Sequence, residues 1–176
     1  MPFPIDLPQT PLLAAGLFLL LIIIGLLFRR ETPYPYESAG ALLTAGERAF
    51  AKVLYNAVGN DFRICHKVRL ADVIVVRKGT SNKHQRTWFN RICGKHLDFV
   101  LCDRDTFEII GIIELDDRSH RHASRQERDA FIDAALTAAG LPILHVPAQR
   151  SYSVGMLRGQ IRDSLETGGA MTAERH

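Results

Sequence analysis

The chain has 176 residues, enough for one domain of ordinary size, and its net charge of +3 permits nucleic-acid binding without arguing for it. Three cysteines, Cys65, Cys93 and Cys102, cannot all pair within one chain, which excludes a full disulfide framework and agrees with a reducing compartment. No heptad run, internal repeat or long low-complexity segment is present, so coiled coils and repeat arrays are excluded as well.

Taken in chain order, the first element is PLLAAGLFLLLIIIGLLF, Pro11 to Phe28, which carries no charge. At about 1.5 Å rise per residue it spans roughly 27 Å, close to the bilayer core of about 30 Å. A cleaved signal peptide is the competing reading, but the leading MPFPIDLPQT has no Lys or Arg. Arg29 and Arg30 follow the run, and positive residues favour the cytoplasmic side. The expectation is a single-pass protein with residues 1–10 outside, a transmembrane helix at 11–28 in contact with the lipid bilayer, and the remainder cytoplasmic. Residues 29–42, with prolines at 33 and 35, read as a linker.

A domain is expected over 43–166. TAGERAFAKVLYNA, Thr44 to Ala57, has the apolar spacing of a helix, with Thr44 and Glu47 as a capping box and Gly59 just past its end. FRICHKVRLADVIVV, Phe62 to Val76, reads as strand with a bend near Ala71. RKGTSNKHQRTWFNR, Arg77 to Arg91, reads as a basic excursion holding one short helical turn. Strands follow at Leu97–Cys102 and Phe107–Leu115, then a helix over Ser124–Ala139 and a short strand PILHVP, Pro142 to Pro147. A final amphipathic helix over Ser153–Leu165 is expected to turn Met156, Leu157, Ile161 and Leu165 inward, and 167–176 reads as a disordered tail. A strand after a long helix returns parallel to its sheet. The fold class is therefore α/β, a mixed sheet flanked by helices.

The chemistry concentrates in HLDFVLCDRDTFEIIGIIELDDRSH, His96 to His120. It reads as a β-hairpin with Asp98 on one strand and Glu114 and Asp116 on the other, all away from the polar DRDT turn. Glu114 and Asp116 are two apart, hence on one face of a continuous strand. Clustered carboxylates raise each other's pKa unless a cation compensates. Mg²⁺ or Mn²⁺ suits such hard oxygen ligands and can activate a water against a phosphodiester. The plainer reading leaves Asp116 and Asp117 as solvated residues at a strand end.

The hairpin, its acids and the following helix resemble the restriction-endonuclease-like superfamily, known by its PD-(D/E)XK motif. The closer resemblance is to a bacterial family, domain of unknown function 2726, itself similar to the very-short-patch repair endonucleases. It covers roughly Leu43 to Leu165 through LDFVL around Asp98, IIELDDRSH around Glu114, Arg128 with Asp129, and GLPILHVPA. The resemblance implies a restriction-endonuclease-like fold with Asp98 and Glu114 as the motif acids. Asp116 stands at the position of the motif lysine, which normally helps to orient water and to stabilise developing negative charge. His120 resembles the histidine of the repair-endonuclease pattern, and His120 or Arg128 is expected to supply proton transfer or positive charge. Lys95 is a further candidate outside the motif. Glu47 matches a first-helix glutamate that can join the metal site, although the capping box already accounts for it.

The expected catalytic set is thus Asp98, Glu114, Asp116, His120 and Arg128, with Asp98, Glu114, Asp116 and Glu47 around Mg²⁺ or Mn²⁺. The expected function is a metal-dependent nuclease anchored in a bacterial inner membrane and acting on nucleic acid, most simply DNA. The alternative is a catalytically silent, membrane-tethered binding or interaction module of the same fold. Cys93 with His96, and Cys65 with His66, offer a weaker zinc reading. Lys78, Lys83, His84, Arg86, Trp88 and Arg91 form a basic stretch suited to a phosphate backbone.

Overall fold

The computed structural model describes residues 9–27, 34–116 and 123–173. The chain divides into two compact units, Met1–Gly40 and Ala41–His176. The first holds one helix, α1 (Gln9–Leu27), on which large side chains such as Leu17, Phe18 and Leu20 are exposed. Among the described residues no helix is long and apolar enough to cross a membrane. The physical reason is length. Over its described span, Gln9–Leu27, α1 opens on the polar Gln9 and Thr10, so its apolar part there covers about 25 Å of a bilayer core of about 30 Å. This overturns the transmembrane helix expected at 11–28. The single-pass topology and the inner-membrane location fall with it, and the lipid contact loses its basis. Arg29 and Arg30 lie outside the described residues.

The second unit runs α2 (Ala45–Val58), β1 (Phe62–Arg69), α3 (Leu70–Val73), α4 (Asn82–Ile92), β2 (His96–Asp103), β3 (Ile109–Asp116), α5 (Ala123–Ala138), β4 (Ile143–Pro147) and α6 (Val154–Ala173). The four strands form one mixed sheet in the order β1-β2-β3-β4. β1 to β3 are antiparallel neighbours, and β4 returns parallel to β3 after α5.

Local chemistry explains most boundaries. The Thr44 hydroxyl accepts from the Glu47 N–H at 3.2 Å while the Glu47 carboxylate accepts from the Thr44 N–H at 2.8 Å, so the capping box that starts α2 is complete. Gly59, at φ 58°, ends the helix in a backbone region that disfavours other residues. In the β2–β3 turn one Asp103 oxygen accepts from the N–H groups of Asp105 and Thr106, at 2.9 and 2.8 Å.

Alternation along the strands sends neighbouring residues to opposite faces. Phe99, Leu101, Ile113 and Val146 pack with Phe50 and Leu54 of α2 and with Leu157 and Ile161 of α6. Val100, Cys102 and Ile112 pack with Leu70, Ile92, Ile132 and Leu136 from α3, α4 and α5. The sheet is therefore covered by helices on both faces.

Three expectations shift. The strand expected through Val76 stops at Arg69, where α3 makes the bend. The basic excursion holds α4, a helix of 11 residues rather than one turn. α6 continues to Ala173, so most of the expected tail is helical; on it Leu157 and Ile161 are buried but Met156 is 71% exposed.

Candidate active site

The β2–β3 ladder pairs Phe99 with Ile113 as its last rung before the open end. The next residues outward are Asp98 and Glu114. Backbone donors in a half-buried position need acceptors, and here the two carboxylates provide them. The Leu115 N–H donates to Asp98 Oδ2 at 3.2 Å, and the Asp98 N–H makes a longer contact, 3.4 Å, to Glu114 Oε1. The hairpin forks at this point, and acids fill the fork.

Lys67 reaches the same place from β1. Its Nζ donates to Asp98 Oδ1 at 2.7 Å and to Glu47 Oε1 at 2.6 Å. These side chains are mostly shielded, with exposures of 27% for Lys67, 17% for Asp98 and 13% for Glu47. Lys67 has φ 53°, a left-handed backbone that costs a non-glycine residue roughly 1–2 kcal/mol. Strain of this kind persists where surrounding contacts over-determine it, and here both contacts are ionic. Glu47 serves two ends at once, one oxygen closing the capping box and the other holding Lys67.

The charges respond. Burial lifts the Glu114 carboxyl to about 8, and the neighbouring charge of Asp98 adds to the lift. Burial opposes charge on Glu47 too, yet hydrogen bonds from Lys67 and the Thr44 backbone carry its pKa below the usual value. Burial likewise works against the Lys67 ammonium, but its bonds to Asp98 and Glu47 raise its pKa overall. The fork thus combines a carboxyl whose pKa is raised to about 8 with an ammonium held on the neighbouring Asp98.

Across the sheet, His145 of β4 is the register partner of Glu114. Its Nδ1 lies 3.1 Å from Asp116 Oδ1 and its Nε2 lies 3.1 Å from Asp133 Oδ1 of α5. Only a protonated imidazole donates from both nitrogens. Burial opposes that charge, but the two carboxylates prevail and raise the His145 pKa.

The family described as protein of unknown function (DUF2726) matches residues 39–165. The chain belongs to that family. No curated protein and no solved structure matches it. The family match spans every residue of the fork and of the His145 cluster.

Within this DUF2726 domain, Asp98 and Glu114 meet at the fork, and the Lys67 ammonium links Asp98 to Glu47. Asp116 does not join them, because His145 engages it and its side chain is 51% exposed. Arg128 pairs with its neighbour Asp129 at 3.3 Å, and both are well exposed. His120 and His122 lie outside the described residues. Among the described residues no three His, Cys, Asp or Glu side chains converge as a ready-made metal group. That holds for zinc as for magnesium: His66 Nε2 is 2.7 Å from the Tyr55 hydroxyl, and Cys93 donates weakly to the Asn90 carbonyl.

Lys67, His145 and Asp133 were not singled out in the sequence. Lys67 sits in FRICHKVR without a distinguishing pattern. His145 had one available signal, a histidine inside the apolar strand PILHVP that needs polar partners.

Proposed function

We propose that the domain is a metal-dependent nuclease of the PD-(D/E)XK, restriction-endonuclease-like kind, akin to the very-short-patch repair endonucleases. In this reading Lys67 supplies the positive charge missing at the motif position held by Asp116. The observation that carries it is the contact of Lys67 Nζ with Asp98, 2.7 Å, at the fork shared with Glu114.

The donor set suits a hard divalent cation. Mg²⁺ commonly binds through only one or two carboxylates, with waters and substrate phosphates completing its shell. Asp98 and Glu114 can provide that pair, and the raised pKa of Glu114, due first to burial and then to Asp98, fits a place where a cation would favour its ionised form. Bound Mg²⁺ or Mn²⁺ would supply a water of lowered pKa and polarise the phosphodiester. Lys67 holds a positive charge where negative charge develops on the phosphoryl oxygens. Glu47 fixes the ammonium from the opposite side, and the left-handed backbone at residue 67 delivers it.

The test is cleavage of duplex, single-stranded and branched DNA, and of RNA, by the full chain with Mg²⁺ or Mn²⁺. Activity lost in Glu114→Gln and in Lys67→Met supports the reading. A second reading is a catalytically silent nucleic-acid-binding or interaction module. It draws on the same ammonium, which neutralises Glu47 and Asp98 with no metal at all. No cleavage of any substrate, with no divalent metal bound, would decide for that module.

A further inference from the structure

A second site lies around α4, formed by groups that the carboxylate fork does not use. Segment 77–95 carries six cationic residues, Arg77, Lys78, Lys83, Arg86, Arg91 and Lys95, and no acid. The whole chain is only +3, so the rest of it is net negative. Among the described residues none of Lys78, Lys83, Arg86 and Arg91 takes part in an ion pair. Unpaired cations here stand beside exposed aromatic rings: Trp88 is 46% and Phe89 45% exposed.

Two cavities flank α4 and share one wall, the extended Ile74–Val76 segment, whose Val75 is 85% exposed. One, of about 400 Å³, contains Trp88, Arg91 and Phe131. The other, of about 420 Å³, contains Phe89 and Arg86. Each slot thus pairs an exposed ring with an arginine. In the first, the Arg91 guanidinium lies 4.0 Å from the Phe131 ring centre and 4.9 Å from that of Trp88. Such stacking holds the fork of donors in place with little loss of freedom on binding.

We propose that this double slot binds single-stranded nucleic acid, seating unpaired bases against Trp88 and Phe89 and their phosphates against the surrounding cations. Aromatic faces beside a cationic groove are the physical requirement for holding a single strand, because every base has a π-face and every linkage a negative charge. A base stacked within a duplex offers neither face. The nature of the ligand rests in part on the nuclease reading, but binding here requires no cleavage and no metal.

Trp88 is the sole tryptophan of the chain, so emission excited selectively from tryptophan reports this site alone. The full chain is titrated at low salt in EDTA with a fluorescein-labelled oligo-dT, following Trp88 emission and oligonucleotide anisotropy together. Saturable quenching is expected. An abasic strand of equal length and charge, and a duplex, should bind roughly tenfold more weakly and leave Trp88 unquenched. Trp88→Ala should weaken oligo-dT binding about tenfold, whereas Trp88→Phe retains most of it. Phe89→Ala and Arg86→Gln should each weaken binding while leaving Trp88 as reporter, and they carry the test if Trp88→Ala does not fold. Absence of binding, binding without quenching, equal affinity for the abasic strand or the duplex, or wild-type affinity in these variants would overturn the proposal. Because metal is chelated throughout, failure here leaves the cleavage assay untouched.

Discussion

The ammonium of Lys67 lies 2.7 Å from a carboxylate oxygen of Asp98, although 31 residues separate them in the chain. It also holds Glu47, so one cation compensates two acids in a mostly shielded place. Lys67→Met should therefore destabilise the domain at neutral pH by about 1–3 kcal/mol, because it leaves two carboxylates without their partner. Urea denaturation measures this. If a divalent cation can occupy the fork, Mg²⁺ should stabilise Lys67→Met more than the wild type, since it then faces no competing ammonium. Equal stabilisation of both would place metal binding elsewhere.

The Glu114 carboxyl gives stability a definite pH signature. Its pKa is about 8 in the folded chain against an ordinary 4.5, so the folded state holds a proton that the unfolded state releases between these values. The contribution is full below about 4.5, falls as pH rises toward about 8, and is level beyond. Glu114→Gln, which keeps an acceptor for the Asp98 N–H, should lack this decline. Relative to wild type it should gain up to about 5 kcal/mol across the window. Metal binding at the fork should release a proton near pH 7 and none well above pH 8, which calorimetry in buffers of different ionisation enthalpy would read.

His145 acts with the opposite polarity of charge. Its pKa is raised above 6.5 because the folded chain presents it to Asp116 and Asp133. The stability it adds is complete below 6.5 and disappears as pH rises through the raised value. His145→Gln should thus be less stable than wild type at pH 5–6 and nearly equal to it at pH 9. Asp116→Asn should narrow the same difference but leave any metal-dependent cleavage in place, since Asp116 lies outside the fork.

Glu47→Gln separates the two duties of Glu47. Glutamine still serves a capping box, but it brings no negative charge to Lys67. Circular dichroism should show α2 intact, while Lys67 loses one ionic partner. A variant that unwinds α2 would mean that the charge of Glu47, and not the cap alone, holds the start of the helix.

Gly111 marks where α6 approaches the sheet. A Cβ there would lie 2.7 Å from Leu165 Cδ2 and 3.4 Å from Pro142 Cγ. Gly111→Val should cost about 1–3 kcal/mol by overpacking. Adding Leu165→Ala should recover part of that loss, measured as non-additivity in a double-mutant cycle.

What was legible in the sequence was mostly local. Thr44 and Glu47 satisfy each other within one turn, so their spacing alone announces α2. The Asp98–Glu114 hairpin and the parallel return at Ile143 follow from alternation and from a long helix between strands. The single turn expected within α4 falls short because the apolar residues of NKHQRTWFNRI, Trp88, Phe89 and Ile92, gather at its C-terminal end, and only Ile92 of that helix is buried. Asp116 was grouped with Glu114 by strand periodicity, which cannot see that β4 brings His145 alongside. Lys67 was hidden for a similar reason: its reach depends on a left-handed backbone inside a strand and on partners from two other elements.

The fork carries one more implication. Asp98 and Glu114 replace the missing rung where β2 and β3 separate, by accepting from the backbone of residues 98 and 115. The hydrolysis proposed for this site and the folding of the hairpin would therefore draw on the same oxygen atoms. Even without any chemistry at this site, the chain would be under pressure to keep both acids, or to replace them by amides of equal length. Loss of function should then be written first at Lys67, whose removal unmakes the charge without unzipping the strands.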